Sequence, residues 1–236
     1  MKKTGIIILC RYNSTRLPGK ILKEIDGQPV LQHIVNKIRQ VVPQENIIIA
    51  TSEEKTDTPI VEYCHQTGLN YYRGSLNNVS LRFLEAAQNN RLDFAVRING
   101  DNFFVNYPLL DEMINIAVTN DYDFVSNVKG RTFPKGMSIE IVKTQFYKQM
   151  YSQFESEGDF EHVTIYLYHN DEKIPNKKYI YNRSVPEAAG IQLSIDTQED
   201  FDRTIYIYSR LKNKDIFDLK EIYKLYKEFY QNHTQS

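Results

Sequence analysis

Gly5-Ile6-Ile7-Ile8-Leu9-Cys10-Arg11-Tyr12-Asn13-Ser14-Thr15-Arg16-Leu17-Pro18-Gly19-Lys20 passes from an apolar run to a polar turn without a spacer. The first six residues read as a buried strand. The next ten hold three cations, two aliphatic hydroxyls, one proline and one glycine. A loop at the carboxyl end of a first strand is where α/β proteins bind ligands. Arg11, Arg16 and Lys20 supply charge, Ser14 and Thr15 supply neutral donors, and backbone N–H groups supply the rest. That chemistry suits a triphosphate. A solvated basic turn is the alternative. Neither G-x-x-x-x-G-K-[ST] nor G-x-G-x-x-G is present in this turn.

Outward from this turn, strand and helix patterns alternate, the signature of a parallel sheet with crossover helices. Val30, Leu31, Ile34, Val35, Ile38, Val41 and Val42 share a helix face that Pro43 ends. Asn46–Ala50 is a second strand. A helix capped by Asp57 or Thr58, with Pro59 in its first turn and Gly68 beyond its end, follows. Strand 70–73, helix 79–90, strand 93–98, helix 107–120 and strand 123–127 continue the alternation. Past residue 128 the pattern loosens: strand 136–142, helix 144–154, a short helix over 161–168, and a last strand over 192–195. Two helical faces close the chain, one at Phe201, Ile205, Tyr208 and Leu211, the other at Leu219, Ile222, Leu225 and Phe229. A polar tail from Gln231 to Ser236 is expected to fray. The simplest organisation is one domain over 1–236 with an inserted subregion near 128–185.

Composition sets bounds. The chain has 236 residues, enough for one large α/β core, and a formal net charge of −1. That balance argues against a general nucleic-acid binder. No run approaches the ~18 apolar residues of a membrane span, and six apolar residues are too few for a signal-peptide core. Cys10 and Cys64 form no C-x-x-C motif and read as reduced thiols of a cytoplasmic protein.

Asp101 directly follows a strand, on a turn that Gly100 permits, and Asp196 stands in the same relation to the last strand. Carboxylates at the ends of parallel strands converge on one crevice. Mg²⁺ takes one or two such carboxylates together with phosphate oxygens. Alternatively, each Asp caps the element that follows, and Asp196-Thr197-Gln198-Glu199 has the look of a helix start. Arg73 follows the third strand and can face the crevice, to meet a base or ribose. Ser80 and Arg82 are weaker candidates, since Arg82 lies on a helix face where solvation is the more frequent reading. Arg131, Lys135, Glu140 and His162 could contact an acidic acceptor, though such residues are more often surface groups. His33, His65, His169 and His233 show no ligand spacing and read as structural.

Arg11–Lys20 closely resembles the signature of the sugar-acid cytidylyltransferases, roughly A-R-x-x-S-T-R-L-P-G-K, with Cys10 where that family usually has Ala. The family includes the 3-deoxy-manno-octulosonate and acylneuraminate cytidylyltransferases and a spore-coat polysaccharide type. Arg97-Ile98-Asn99-Gly100-Asp101 is similar to its R-[IV]-x-G-D, and Ser194–Phe201 to its x-[VI]-D-T-x-E-D-[FL]. Gly136–Ile141 and Glu161–Thr164 resemble segments of the spore-coat type. Two departures stand out: Asn102-Phe103 replaces the usual C-P, and Leu76–Ser80 lacks an acidic residue common there.

The resemblance implies a Rossmann-like nucleotide-diphospho-sugar transferase (GT-A-like) fold with a mostly parallel sheet and an inserted dimerisation region. It also implies a cytoplasmic homodimer that uses CTP and Mg²⁺. Lys20, Arg16, Arg11, Ser14 and Thr15 would hold the triphosphate, and Asp101 and Asp196 the metal. A sugar acid would be converted to its CMP derivative with loss of pyrophosphate. Three alternatives stay open: cytidylyl transfer to a phosphorylated small alcohol or amine, transfer from another NTP, and a catalytically silent nucleotide-binding subunit.

Overall fold

Ile6 and Ile8 of the first strand, β1 (Thr4–Leu9), belong to one apolar core, and Ile7 and Leu9 belong to another on the opposite face. A strand buried on both faces needs the near-continuous apolar run seen in the sequence. The computed structural model describes residues 2–214 and 216–233. After β1 a short hairpin, β2 (Glu24–Ile25) and β3 (Gln28–Pro29), leads into α1 (Val30–Ile38). Then come β4 (Ile47–Ser52), α2 (Thr58–Thr67), β5 (Asn70–Gly74), α3 (Val79–Asn89), β6 (Phe94–Asn99) and α4 (Tyr107–Thr119). The second half adds β7 (Phe124–Ser126), β8 (Glu140–Lys143), α5 (Thr144–Tyr151), α6 (Glu157–Glu161), α7 (Ile165–His169), β9 (Lys177–Tyr179), α8 (Gln198–Leu211) and α9 (Leu219–His233).

Seven strands form one mostly parallel sheet in the order β5-β4-β1-β6-β8-β7-β9, with β8 the antiparallel member. Helices α1, α2, α4, α8 and α9 pack on one face, and α3, α5 and α7 on the other. The chain winds outward from β1 to β4 and β5, then crosses back to β6 on the other side of β1. The reversal leaves a crevice at the carboxyl ends of β1 and β6.

Several boundaries differ from the sequence reading. The expected last strand over 192–195 is a single bridge from Gln192 to Lys135. Gly136 has φ +92, outside the extended region, so the pairing started by Lys135 does not run on, and a Cβ there would lie 2.3 Å from the Ser194 nitrogen. For the same reason the strand expected from 136 begins only at Glu140. The helix expected over 161–168 is only α7, Ile165–His169, since α6 ends at Glu161 and His162–Thr164 separate the two. The helix expected to 154 ends at Tyr151. Gln231 and Asn232 continue α9 to His233, and the rest of the expected frayed tail, 234–236, lies outside the described residues. Cys10 and Cys64 are free and buried. Among the described residues no helix is long and apolar enough to cross a membrane.

Candidate active site

The turn after β1 is held from beneath by a residue that sequence spacing had placed only as a helix cap. Asp57 makes no capping bond to α2. Its carboxylate instead accepts from Tyr12 N at 2.8 Å, Thr51 Oγ1 at 2.9 Å, and Ser52 N and Oγ at 3.0 and 2.5 Å. Tyr12 O in turn accepts from Ser14 N and Gly19 N. Gly19, at φ +69, closes the turn against the Tyr12 ring, which a Cβ would approach to 3.1 Å. Among the described residues the N–H groups of Arg11, Asn13, Thr15 and Arg16 take no backbone or side-chain partner, so the turn offers free donors beside its cations.

Burial pushes the Asp57 carboxyl up, but the bonds from Ser52, Tyr12 and Thr51 outweigh it and hold the group below the ordinary aspartate range. Its stabilising contribution is therefore present above the ordinary aspartate pKa and is lost as pH falls through the depressed value. Asp57→Asn should cost about 1–3 kcal/mol at neutral pH, because the amide turns a donor toward a donor. It should also loosen the turn at Tyr12. Urea melts at neutral pH and near pH 3 check this, and the variant's deficit should shrink in acid.

Asp101 and Asp196 meet across the crevice with Lys20 between them. Lys20 Nζ donates to Ile195 O at 2.6 Å and Asp196 Oδ1 at 3.0 Å, and lies 3.7 Å from Asp101 Oδ2. Arg16 reaches Asp196 Oδ2 at 3.3 Å from the solvent side. Neither aspartate caps a helix. Asn106 caps α4. Thr197 caps α8 in a capping box with Asp200, whose carboxylate also accepts from Asp196 N at 3.1 Å. The helix start thus fixes the backbone of Asp196, and its side chain faces the cleft, with Oδ2 accepting from Gln192 Nε2 at 3.1 Å beside Arg16. Gly100 is required where the two loops cross: a Cβ would lie 2.6 Å from Cys10 Cβ.

These groups line a cleft of about 330 Å³, with Ser14, Thr15, Arg11 and Arg82 on the side of β1 and Arg97, Asn99 and His162 on the other. Burial is the main influence on the Asp101 carboxyl and raises it; Lys20 opposes this and Asp196 adds to it. Asp101 Oδ1 is buried with no hydrogen-bond partner. A buried, unpartnered carboxylate oxygen beside a second carboxylate fits a hard cation. No cluster of three or more His, Cys, Asp or Glu exists among the described residues, so such a cation would complete its shell with phosphate oxygens and water.

The sequence matches the cytidylyltransferase family model over residues 5–235. The chain belongs to the cytidylyltransferase family. It is 28% identical to the spore coat polysaccharide biosynthesis protein SpsF of Bacillus subtilis over 229 residues, covering 93% of this chain and 92% of that one. It is 23% identical to the 3-deoxy-manno-octulosonate cytidylyltransferase of Geobacter metallireducens, over 89% of this chain and 99% of the relative. The solved structure of a cytidylyltransferase from Leptospira borgpetersenii superposes with a TM-score of 0.85 at 29% identity, over 99% of this chain and 96% of the other. The protein is therefore a nucleotidyltransferase enzyme with a Rossmann-like nucleotidyltransferase fold.

The structure of this cytidylyltransferase gathers Arg11, Ser14, Thr15, Arg16, Lys20, Arg82, Asp101 and Asp196 on the one cleft. Arg73 is not among them. Its Nε and Nη2 donate to the carbonyls of Ser52 and Glu54, so the side chain lies along the sheet edge. Ser80 is also misplaced as a nucleotide contact: it is fully buried and its Oγ donates to Asp159 O, tying α3 to α6. Arg82 is no solvated helix residue; it is 2% exposed and donates to Ser75 O at 2.7 Å. Glu140 is also only 2% exposed, and its carboxylate is taken up by Arg97, Thr164 and Tyr168 at the wall of a neighbouring cavity.

Arg97, which the sequence reading quoted only as part of a motif, lines the cleft. Two-residue alternation from Asp101 back through Asn99 was the available signal. His33 is buried, with its ring nitrogen 2.7 Å from Ile25 O, as a structural histidine should be.

Proposed function

We propose that this cytidylyltransferase transfers CMP from CTP to a sugar acid of the ulosonic or nonulosonic type, releasing pyrophosphate. The observation that carries the reading is the juxtaposition of Lys20 with two carboxylates, Asp101 just past β6 and Asp196 just before α8, the first holding an unpartnered buried oxygen, at the switch point of the sheet. The covered length of the spore-coat and octulosonate relatives supports the sugar-acid assignment.

An acceptor hydroxyl attacks the α-phosphorus in line, and the bond to the bridging oxygen of pyrophosphate breaks. The protein contributes mainly position and charge. Arg11, Arg16 and Lys20 neutralise the triphosphate, and the free N–H groups of the turn hold its oxygens. Asp101 and Asp196 would hold Mg²⁺. When bound, the ion would polarise the α-phosphate and lower the pKa of the attacking hydroxyl. A cytoplasmic homodimer is part of the same proposal, and sedimentation checks the dimer.

Leu76, Asn77, Asn78 and Val79 line a neighbouring cavity of about 500 Å³ that shares Arg11 with the phosphate turn. That proximity to the phosphate turn supports binding of the base there. Unpaired polar edges then penalise a mismatched base, so CTP should be preferred to UTP by roughly 10–10²-fold in kcat/KM. Arg73→Ala should leave that ratio unchanged, since its guanidinium is bound to the sheet edge.

The test of the reading is the mass of the product from CTP and a panel holding 3-deoxy-manno-octulosonate, an acylneuraminate and glycerol 3-phosphate. A CMP-sugar acid is expected. A CDP-alcohol alone would replace the sugar-acid reading with the phosphorylated-acceptor one.

A further inference from the structure

A second cavity, of about 540 Å³, adjoins the nucleotide cleft across Arg97, Asn99 and His162. Its volume suits a small metabolite. Four of its lining groups carry charge, and two of these are already committed. Glu140 is bound by Arg97, Thr164 and Tyr168. Burial pushes its carboxyl up, but Arg97 and the two hydroxyls overcome this and keep it ionised. Lys129 is paired with Asp171 at 3.0 Å.

The other two are not satisfied. Arg97 gives Nη1 to Glu140, while its Nε is buried without a partner and its Nη2 has no partner among the described residues. Glu140 anchors one end of the guanidinium and leaves the other donors of the fork unused. Arg131 has no acidic partner among the described residues and lies 3.5 Å from Ser138 Oγ. It stands at φ +50, after Gly130 at φ +76. An arginine in the left-handed region is uncommon and costs energy, and such outliers concentrate at binding sites. The strained turn puts Arg131 on the rim shared by this cavity and a third one that reaches Asp101 and Asp196.

We propose that Arg97 and Arg131 form a two-arginine clamp for the oxyanion of the acceptor, with Ser138, Asn99 and His162 left to meet its hydroxyls. This rests on the reading of an anionic acceptor given above and adds to it the residues that select one. With Glu140 already neutralised by Arg97, the cavity has a surplus of positive charge and a guanidinium fork, which match a planar carboxylate or a phosphate. Arg97 also borders the triphosphate cleft, so an acceptor held there sits beside the α-phosphate.

The experiment is calorimetric titration of the protein saturated with α,β-methylene-CTP, which cannot release pyrophosphate. The probes are 3-deoxy-manno-octulosonate, its C1 carboxamide, and glycerol 3-phosphate. The sugar acid should bind tenfold or more tighter than its carboxamide. Arg131→Gln should lose about the same factor for the acid and nothing further for the carboxamide, with affinity for the nucleotide analogue unchanged. Arg97→Lys, which keeps a cation beside Glu140 but loses the fork, should lose the same factor for the acid over the carboxamide; because Arg97 also lines the nucleotide cleft, that ratio is read with the analogue held at saturation. If glycerol 3-phosphate binds more tightly than the acid with the same dependence on both arginines, the clamp stands and the sugar-acid reading falls. If neither anion's affinity changes in Arg131→Gln and Arg97→Lys, the clamp is overturned, whether or not CMP transfer is observed with active CTP.

Discussion

Asp101→Asn is expected to lower turnover on the order of 10²–10³-fold while leaving the folded protein as stable as before or more so. The two effects have one cause. Asp101 is half-buried, its Oδ1 is enclosed without a partner, and Asp196 faces it across Lys20. Burial, the largest influence, raises its pKa. A carboxyl raised in the folded state contributes stability below its unfolded pKa and loses it as pH rises through the folded value. At neutral pH the ionised group is therefore a burden to the fold, which the neutral amide removes. Melts in the presence of a chelator, at neutral pH and near pH 4, should show the variant's advantage at the higher pH and little difference at the lower. Unchanged turnover would remove Asp101 from the machinery, and a large drop in stability at neutral pH would make it a structural residue.

Lys20→Ala should weaken CTP binding by roughly 10–10²-fold, the scale of one or two charge-assisted hydrogen bonds. Lys20 is only 14% exposed, and its Nζ is the cation shared by Asp101, Asp196 and the Ile195 carbonyl. Removing it leaves two carboxylates facing one another with no charge between them. The loss should grow with the number of phosphates, so titrations with CTP, CMP and cytidine separate the possibilities. Cytidine should bind the variant and the parent alike. An equal loss for all three ligands would mean that Lys20 supports the fold of the turn rather than the triphosphate.

Much of the site was legible in the sequence because its residues sit where short-range pattern is strongest. A hydrophobic run that turns at once into cations gave β1 and its loop, and Gly100-Asp101 after the run of β6 gave the opposite wall. Asp196 was found through its motif, although the strand assigned before it is a lone bridge: the close crossing at Gly136 is a tertiary constraint with no local signature.

Orientation is the other thing that escaped. Arg73 and Arg82 both belong to the segment after β4, yet Arg73 bonds to the sheet edge and Arg82 enters the cleft. Asp57 looked like a helix cap because it precedes Thr58-Pro59, and its real partners lie in the β1 turn and at the end of β4. Glu140 carried a charge that suggested a ligand contact, but its pairing with Arg97 depends on β8 lying antiparallel to β6, which no spacing announces.

The most direct test of the central claim, that this cleft passes the α-phosphate of CTP to an acceptor, is to follow label from α-³²P and γ-³²P CTP in parallel. The account predicts α label in an acceptor-linked product, γ label wholly in pyrophosphate, and both slowed on the order of 10²–10³-fold in Asp101→Asn. Appearance of γ label in the acceptor, or equal product from Asp101→Asn, would contradict it.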